Sequence, residues 1–289
     1  MKIIVTGASG LLGEEIADRF EEKGHEVIRL KGRGQLDLRE VEPVMSFVEK
    51  CNPDVIVHTA AIKDVDEAER HPQETFVTNT VATRNVALAA EKTEAKMVYI
   101  STDAVFDGEK GMYHEYDETG PINVYGFSKL AGEREVRALC KRHFIVRTGL
   151  LFGLKGKPDN NMVLKLMKRW QNGEVVEAGI DQKCSNTYTL DLAEAIVTMA
   201  LTDYYGTYHV CNEGRASRYE FYTALCTGAG FSEEQVKGVK ASTIKFARRH
   251  KNSSMTSLLF ERTFGYALEN WEDAVERFMV EYKSKKEEL

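Results

Sequence analysis

An α/β fold, a doubly wound parallel sheet carrying a smaller C-terminal lobe, is what this 289-residue sequence predicts, on three observations. Short β-branched runs alternate with amphipathic helical stretches up to about residue 211, the pattern of a parallel sheet with helices on both faces. The first run, Lys2–Thr6, meets a glycine turn at once. A later run, Val55–His58, ends in the small residues Thr59-Ala60-Ala61, which let a ligand lie close across a sheet's carboxyl edge.

The opening unit is the most informative. After Lys2–Thr6 comes Gly7-Ala-Ser-Gly10-Leu-Leu-Gly13, then a helix whose apolar positions Leu12, Ile16, Ala17 and Phe20 recur at helical spacing. A glycine-rich β–α connection without a ligand has the same composition. Placed between a strand and an amphipathic helix, however, this turn aims free N–H groups and the positive helix end at one spot, which suits a pyrophosphate. Gly7 permits the turn, Gly10 admits the phosphates and Gly13 lets helix pack on strand, giving a Rossmann-like dinucleotide site with G-x-x-G-x-x-G spacing.

The second strand is His25–Leu30, and its end bears on cofactor type. A carboxylate there favours NAD and cations favour NADP. This chain has Arg29, Lys31 and Arg33 and no carboxylate until Asp37, so NADP(H) is expected over NAD(H). Leu36-Asp37-Leu38 reads as a short strand end with Asp37 meeting the adenine. A helix at Val41–Glu49, the strand Val55–His58 and a long helix from Glu74 to Glu91 follow. His58 reads as a packed strand-end residue. The strand Met97–Ile100 then leads into Ser101-Thr102-Asp103.

A long loop, Asp103–Val124, separates that strand from a helix running from Tyr125 to about Cys140, and such loops are often functional. The strand Phe144–Thr148 closes the block. A helix at Val163–Gln171 and a short strand at Val175-Val176 loosen the rhythm, which the helix Leu190–Leu201 and the strand Thr207–Cys211 restore. Helices are expected at Tyr219–Thr227, near Leu258–Thr263 and from about Trp271, with the closing run from Lys283 a solvated helix end. Residues 1–158 and 188–212 are assigned to the dinucleotide-binding domain, and 159–187 with 213–289 to a substrate lobe.

Composition narrows the class. A net charge of −6 argues against nucleic acid or an anionic membrane as the main partner. Five scattered cysteines without a C-x-x-C pair favour reduced thiols over disulfides or structural zinc. No apolar run approaches the roughly 20 residues that span a bilayer. A strand starting at residue 2 leaves no room for a signal peptide, so a cytoplasmic protein is expected.

The candidate chemistry lies on one helix. Tyr125 and Lys129 stand at i and i+4, hence on one face, directly after the strand that ends in Thr102. A phenol near pKa 10 is a poor acid or base at neutral pH, and a neighbouring ammonium is expected to lower it. Tyr125 can then protonate a carbonyl oxygen while hydride arrives at carbon, Thr102 can hold that oxygen, and Lys129 can also bond the nicotinamide ribose.

These motifs resemble the extended short-chain dehydrogenase/reductases, and within them the dTDP-4-dehydrorhamnose reductase family. The resemblance runs through Thr6–Gly13, Ala60-Ala61, Val65–Glu69, Ser101–Gly108, Tyr125–Glu133, Arg147-Thr148, Asp181-Gln182, Gly206–His209 and Arg249–Ser253. It implies that Gly7, Gly10 and Gly13 hold the pyrophosphate, that Ala60 and Ala61 line the cofactor, and that Thr102, Tyr125 and Lys129 are catalytic. The residues read as cofactor contacts also include Ser9, Leu11, Leu12, Leu38, Asn79 and Ser101. On the substrate side it places Lys63 and Val65 at the sugar, Asp103 beside Thr102, Leu150 on the sugar wall, and Asn161, Arg249 and Asn252 near the nucleotide diphosphate. A nucleotide-sugar substrate and a homodimer are expected partners, and no metal-ligand cluster is read.

The chain departs from the family pattern at Ala104, where Tyr is expected, at Gly149-Leu150, where Ser-Trp is expected, and at Lys63, Cys184-Ser-Asn and His250. Cofactor and proton-transfer positions keep the pattern while substrate-facing ones change. The expected activity is reduction of the 4-keto group of a nucleotide-activated deoxysugar. Two alternatives stay open: an epimerase or dehydratase using Glu69, Asp103 or His114 as an added acid/base, and a non-catalytic NADP-binding subunit like the regulatory β subunit of methionine adenosyltransferase.

Overall fold

The computed structural model describes residues 1–240 and 246–285. The first half of the chain holds β1 (Lys2–Thr6), α1 (Leu11–Glu22), β2 (Glu26–Leu30), α2 (Val41–Cys51), β3 (Val55–His58), α3 (Val65–Arg70), α4 (Pro72–Phe76), α5 (Ala82–Lys92) and β4 (Lys96–Thr102). Next come α6 (Val124–Leu139), β5 (His143–Thr148), β6 (Leu150–Phe152), α7 (Met162–Gln171), β7 (Val176–Gly179), β8 (Lys183–Cys184) and β9 (Asn186–Tyr188). The remainder is α8 (Thr189–Ala200), β10 (Gly206–His209), β11 (Ala216–Ser217), α9 (Arg218–Gly228), β12 (Val236–Val239), α10 (Phe260–Phe264) and α11 (Trp271–Lys285).

Among the described residues, six strands form one sheet in the order β10-β5-β4-β3-β1-β2, all parallel. Successive side chains of a strand point to opposite faces, so one strand feeds two cores. Ile3 and Val5 pack with Ile16, Phe20 and Ile196 of α1 and α8, while Ile4 packs with Val44, Val86, Tyr99 and Val136 beneath α2, α5 and α6. The chain turns one way from β1 to β2 and the other way to β3. That reversal opens a crevice at the carboxyl ends of the strands.

A second core gathers Phe152, Leu166, Trp170, Phe221 and Phe278 over that crevice. Its short strands pair as β6 with β9, β7 with β12 and β8 with β11. Packing crosses the chain segments freely: Phe260 and Leu268 join the α1/α8 core, and Met255 packs with Val105, Phe106 and Tyr113.

Two expectations need correction. Leu36–Leu38 is not a strand; Leu36 and Leu38 pack against the core under α2, and Asp37 holds the Arg39 guanidinium. The long helix expected from Glu74 is a helical run from Pro72 to Lys92 interrupted by a π-helical turn at Val77–Val81. The terminal helix reaches Lys285, and the end of the expected solvated tail, 286–289, lies outside the described residues. No helix among them is long and apolar enough to cross a membrane.

Candidate active site

A cleft of about 830 Å³ runs along the carboxyl edge of the sheet, between it and the second core. Its first wall is the opening turn. Gly7 has φ +67°, and a Cβ there would meet Thr59 Oγ1 at 2.6 Å; a Cβ on Gly13 would meet the Gly7 carbonyl at 2.4 Å. Side chains at both positions are therefore excluded, which lets the turn fold flat against β3. Gly10 is the N-cap of α1, with no side chain bonding the first-turn amides. Those amides face a cleft lined by Gly10, Leu11, Leu12 and Gly13, the arrangement that accepts an anion at a helix start. The residues present thus fit the diphosphate of a dinucleotide.

The second wall is β4 and α6. Thr102 Oγ1 accepts the Ala104 amide (3.1 Å) and donates to Asp103 Oδ1 (3.0 Å), while Ser253 Oγ donates to Asp103 Oδ2 (2.6 Å). Burial pushes the Asp103 carboxyl up. Asn123 caps α6 by accepting the Gly126 amide (2.9 Å), so the helix starts at Val124 and delivers half-buried Tyr125 to the Thr102 hydroxyl. One turn on, Lys129 is 4 % exposed with its Nζ 4.1 Å from the centre of the Tyr99 ring. Glu133, another turn on, is fully buried and accepts from Ser101 Oγ (2.6 Å), Arg147 Nε (2.9 Å) and Arg137 (2.9 Å). This network ties α6 to β4 and β5, and with it the position of Tyr125.

Burial pulls the Lys129 ammonium down to about 7, against the opposing pull of Glu133. The Tyr125 phenol behaves differently from the sequence expectation. It is pushed up to about 12, because burial and the Asp103 charge outweigh the Thr102 hydrogen bond. His58 is a packed residue, as its place suggested. Its ring sits between Thr6 Oγ1 (2.8 Å) and Thr83 Oγ1 (3.0 Å), and burial pulls it down to about 3.

The cleft brings together many of the residues singled out above. Gly7, Ser9, Gly10, Leu11, Leu12, Gly13, Ala60, Ala61 and Ser101 line one end, and Thr102, Asp103, Tyr125 and Lys129 the middle. Lys63, Val65, Leu150, Asn161 and Arg249 line the other side.

Several others stand elsewhere. Arg29 turns back onto α1, paired with Asp18 and Glu21 (both 2.7 Å). Arg33 pairs with Glu74 (2.6 Å), and Lys31 is exposed with its carbonyl taken by Ser9 Oγ. Asp37 does not face the cleft; the Arg39 ion pair holds its carboxyl at about 2. Leu38 is a packing residue whose carbonyl accepts from Asn85. Asn79 is buried in the π turn, where its amide ties both the N–H and C=O of Ile62 (2.7 and 2.9 Å) and thereby fixes the Ala60-Ala61 loop. Asn252 folds inward, accepting from the Ser254 amide and hydroxyl.

Sequence reasoning missed Lys155, Lys157, Met162 and Arg218, all on the cleft wall. Ser217-x-x-Glu220 ahead of an apolar run is a capping box, and it would have placed Arg218 at a helix start. On a chain of net charge −6, the wall carries Lys63, Lys129, Lys155, Lys157, Lys183, Arg218 and Arg249 against Asp64 and Asp103.

A glycine turn after β1, a hydroxyl at the end of β4 and a Tyr-x-x-x-Lys helix meeting in one cleft of a parallel sheet define the class: an NAD(P)-dependent oxidoreductase of the extended short-chain dehydrogenase/reductase type. Residues 1–284 match the family described as RmlD substrate binding domain. The chain belongs to this family, that of the dTDP-4-dehydrorhamnose reductases. It is 31% identical over 287 residues to the dTDP-4-dehydrorhamnose reductase of Aggregatibacter actinomycetemcomitans, covering 95% of this chain and 97% of the relative. A spore coat polysaccharide biosynthesis protein of Bacillus subtilis is 32% identical over 98% of both chains. Among solved structures, dTDP-4-dehydrorhamnose reductase from Bacillus anthracis in complex with NADP superimposes with a TM-score of 0.91 at 35% identity, covering 97% of this chain and 99% of that one.

Proposed function

We propose that the protein uses NADPH to reduce the 4-keto group of a nucleotide-activated deoxysugar. The observation that carries this reading is a single cleft holding the glycine turn, the Thr102–Tyr125–Lys129 group and a cationic far wall. When bound, the nicotinamide supplies the hydride. Thr102 and Tyr125 orient the carbonyl oxygen by hydrogen bonding, and the phenol, neutral at physiological pH, gives its proton to that oxygen. Lys129 steadies the phenolate left behind, and the second core over the sheet excludes water from the step. The far-wall cations suit the substrate's diphosphate.

A preference for NADP is supported by the missing carboxylate after β2 and by the exposed cation Lys31 there, with Arg29 and Arg33 withdrawn from that role by their ion pairs. Of the three candidates for the added acid/base of an epimerase or dehydratase, Asp103 lines the cleft. Glu69 holds the Val124 amide (3.1 Å), and neither it nor His114 reaches the cleft wall. That distribution favours net reduction. The test is NADPH consumption with dTDP-4-dehydrorhamnose and other 4-keto nucleotide sugars, with Tyr125→Phe as control. Stoichiometric oxidation lost in the variant supports the reductase; tight NADP binding with no turnover on any of these substrates overturns it in favour of a binding subunit.

A further inference from the structure

Arg218 breaks two local rules. It is the first residue of α9, directly after the Ser217 cap, where the helix dipole disfavours a cation. It also has no carboxylate within ion-pairing distance among the described residues, although 25 such pairs occur elsewhere. One guanidinium nitrogen donates to Met162 Sδ (3.3 Å), a weak acceptor that also takes the Tyr222 hydroxyl (3.3 Å), and that hydroxyl is in turn a hydrogen-bond neighbour of the guanidinium. Arg218 and Tyr222, at i and i+4, thus present one face of α9 to the start of α7. The guanidinium lines the cleft and lies within electrostatic reach of Cys184 and Asp103, the residue after Thr102. A permanently charged fork with most donors unused, held in a cleft at a cost to its own helix, marks a ligand contact rather than a structural one.

We propose that Arg218 is a specificity-determining residue that binds an anionic oxygen of the substrate on the Met162–Cys184 side of the cleft, remote from the glycine turn. Its planar donors match a phosphate or a carboxylate. The oxygen belongs either to the nucleotide's diphosphate or to an acidic substituent on the sugar ring. The proposal rests on the nucleotide-sugar reading above.

The experiment measures binding of thymidine diphosphate and of NADPH, by calorimetry, to the wild-type protein, Arg218→Gln and Arg218→Lys, together with KM and kcat for neutral and carboxylate-bearing 4-keto nucleotide sugars. Arg218→Gln is expected to weaken thymidine diphosphate roughly 10- to 100-fold, with partial rescue by lysine and unchanged NADPH affinity. That result assigns the diphosphate. Unchanged thymidine diphosphate affinity with a comparable rise in KM confined to the carboxylate-bearing sugar assigns the ring substituent. Either supports the proposal, and kcat changing by more than KM counts against a binding role. If the wild type binds thymidine diphosphate and the folded variants match it on every ligand, the proposal fails while the nucleotide-sugar reading stands. If the wild type neither binds thymidine diphosphate nor turns over any sugar, that reading fails first. Unchanged NADPH affinity is the measure of folding, and Arg218→Lys carries the test should the glutamine variant lose it.

Discussion

The two sides of the cleft are built on opposite principles. The cofactor and proton-transfer side comes from a few stretches close to the sheet, residues 7–13, 101–103 and 125–133, and both its buried carboxylates, Asp103 and Glu133, are hydrogen-bonded while Lys129 rests on the Tyr99 ring. Glu133, fully buried, accepts from Ser101, Arg147 and Arg137 at 2.6–2.9 Å. The substrate side is assembled from segments scattered between Lys63 and Ser253, and its cations Lys63, Lys157, Lys183 and Arg218 have no ion-pair partner among the described residues. A satisfied buried network holds reacting groups still but tolerates no change, because losing one partner strands a buried charge. Cations without an ion-pair partner are free to meet a ligand, and replacing one strands no buried carboxylate. Most departures from the family pattern, at Lys63, Leu150, Cys184 and His250, fall on this second side, while Ala104 borders the first, its amide held by Thr102.

Five changes test that contrast. Tyr125→Phe is expected to lower kcat by about 10²–10⁴ with NADPH affinity kept, since it removes the proton and nothing from the fold; a kcat within threefold of wild type breaks the chemical assignment of the first side. Glu133→Gln is expected to cost about 3–5 kcal/mol in denaturant unfolding, because Arg147 is left 4 % exposed and short of its partner; a loss under 1 kcal/mol shows the network to be ornamental.

Lys129→Met sharpens the contrast through pH. The folded Lys129 titrates near 7, far below a free lysine, so between about pH 7 and 10 the unfolded chain binds the extra proton and stability rises with pH. The methionine variant removes that slope. It is expected to raise the Tm of the cofactor-free protein at pH 6–7, by a margin that shrinks toward pH 10, while abolishing turnover. A Tm gain that is the same at every pH contradicts the desolvated lysine. The smallest effect concerns the rim: Lys31→Ala is expected to raise the KM for NADPH about three- to fivefold without changing that for NADH, as surface charges contribute about 1 kcal/mol or less. Arg29→Ala, whose guanidinium is held by Asp18 and Glu21, is expected to leave that ratio unchanged.

The fold was legible because its signals are local. Ile3, Ile4 and Val5 serve both faces of the sheet from one strand, and the Gly7–Gly13 spacing leaves little choice of turn. Tyr125 and Lys129 were legible for the same reason, being one turn apart on one helix. Arg29 shows where this stops: a cation in the right place along the chain is useless to a ligand once two carboxylates on α1 have claimed it. Asn79 is a second example, a polar residue read as a contact that instead braces the loop next to one.

By itself, then, the chain determined the order of strands and helices, the glycine turn and the spacing of the phenol and the ammonium, all set by sterics and periodicity over a dozen residues or fewer. Only the tertiary structure decided which charges are free. Whether a side chain meets a ligand depends on partners such as Asp18 beside Arg29, or their lack beside Arg218. Such pairings join side chains of different elements, Asp18 on α1 to Arg29 on β2, and the periodicity within one element carries no information about them.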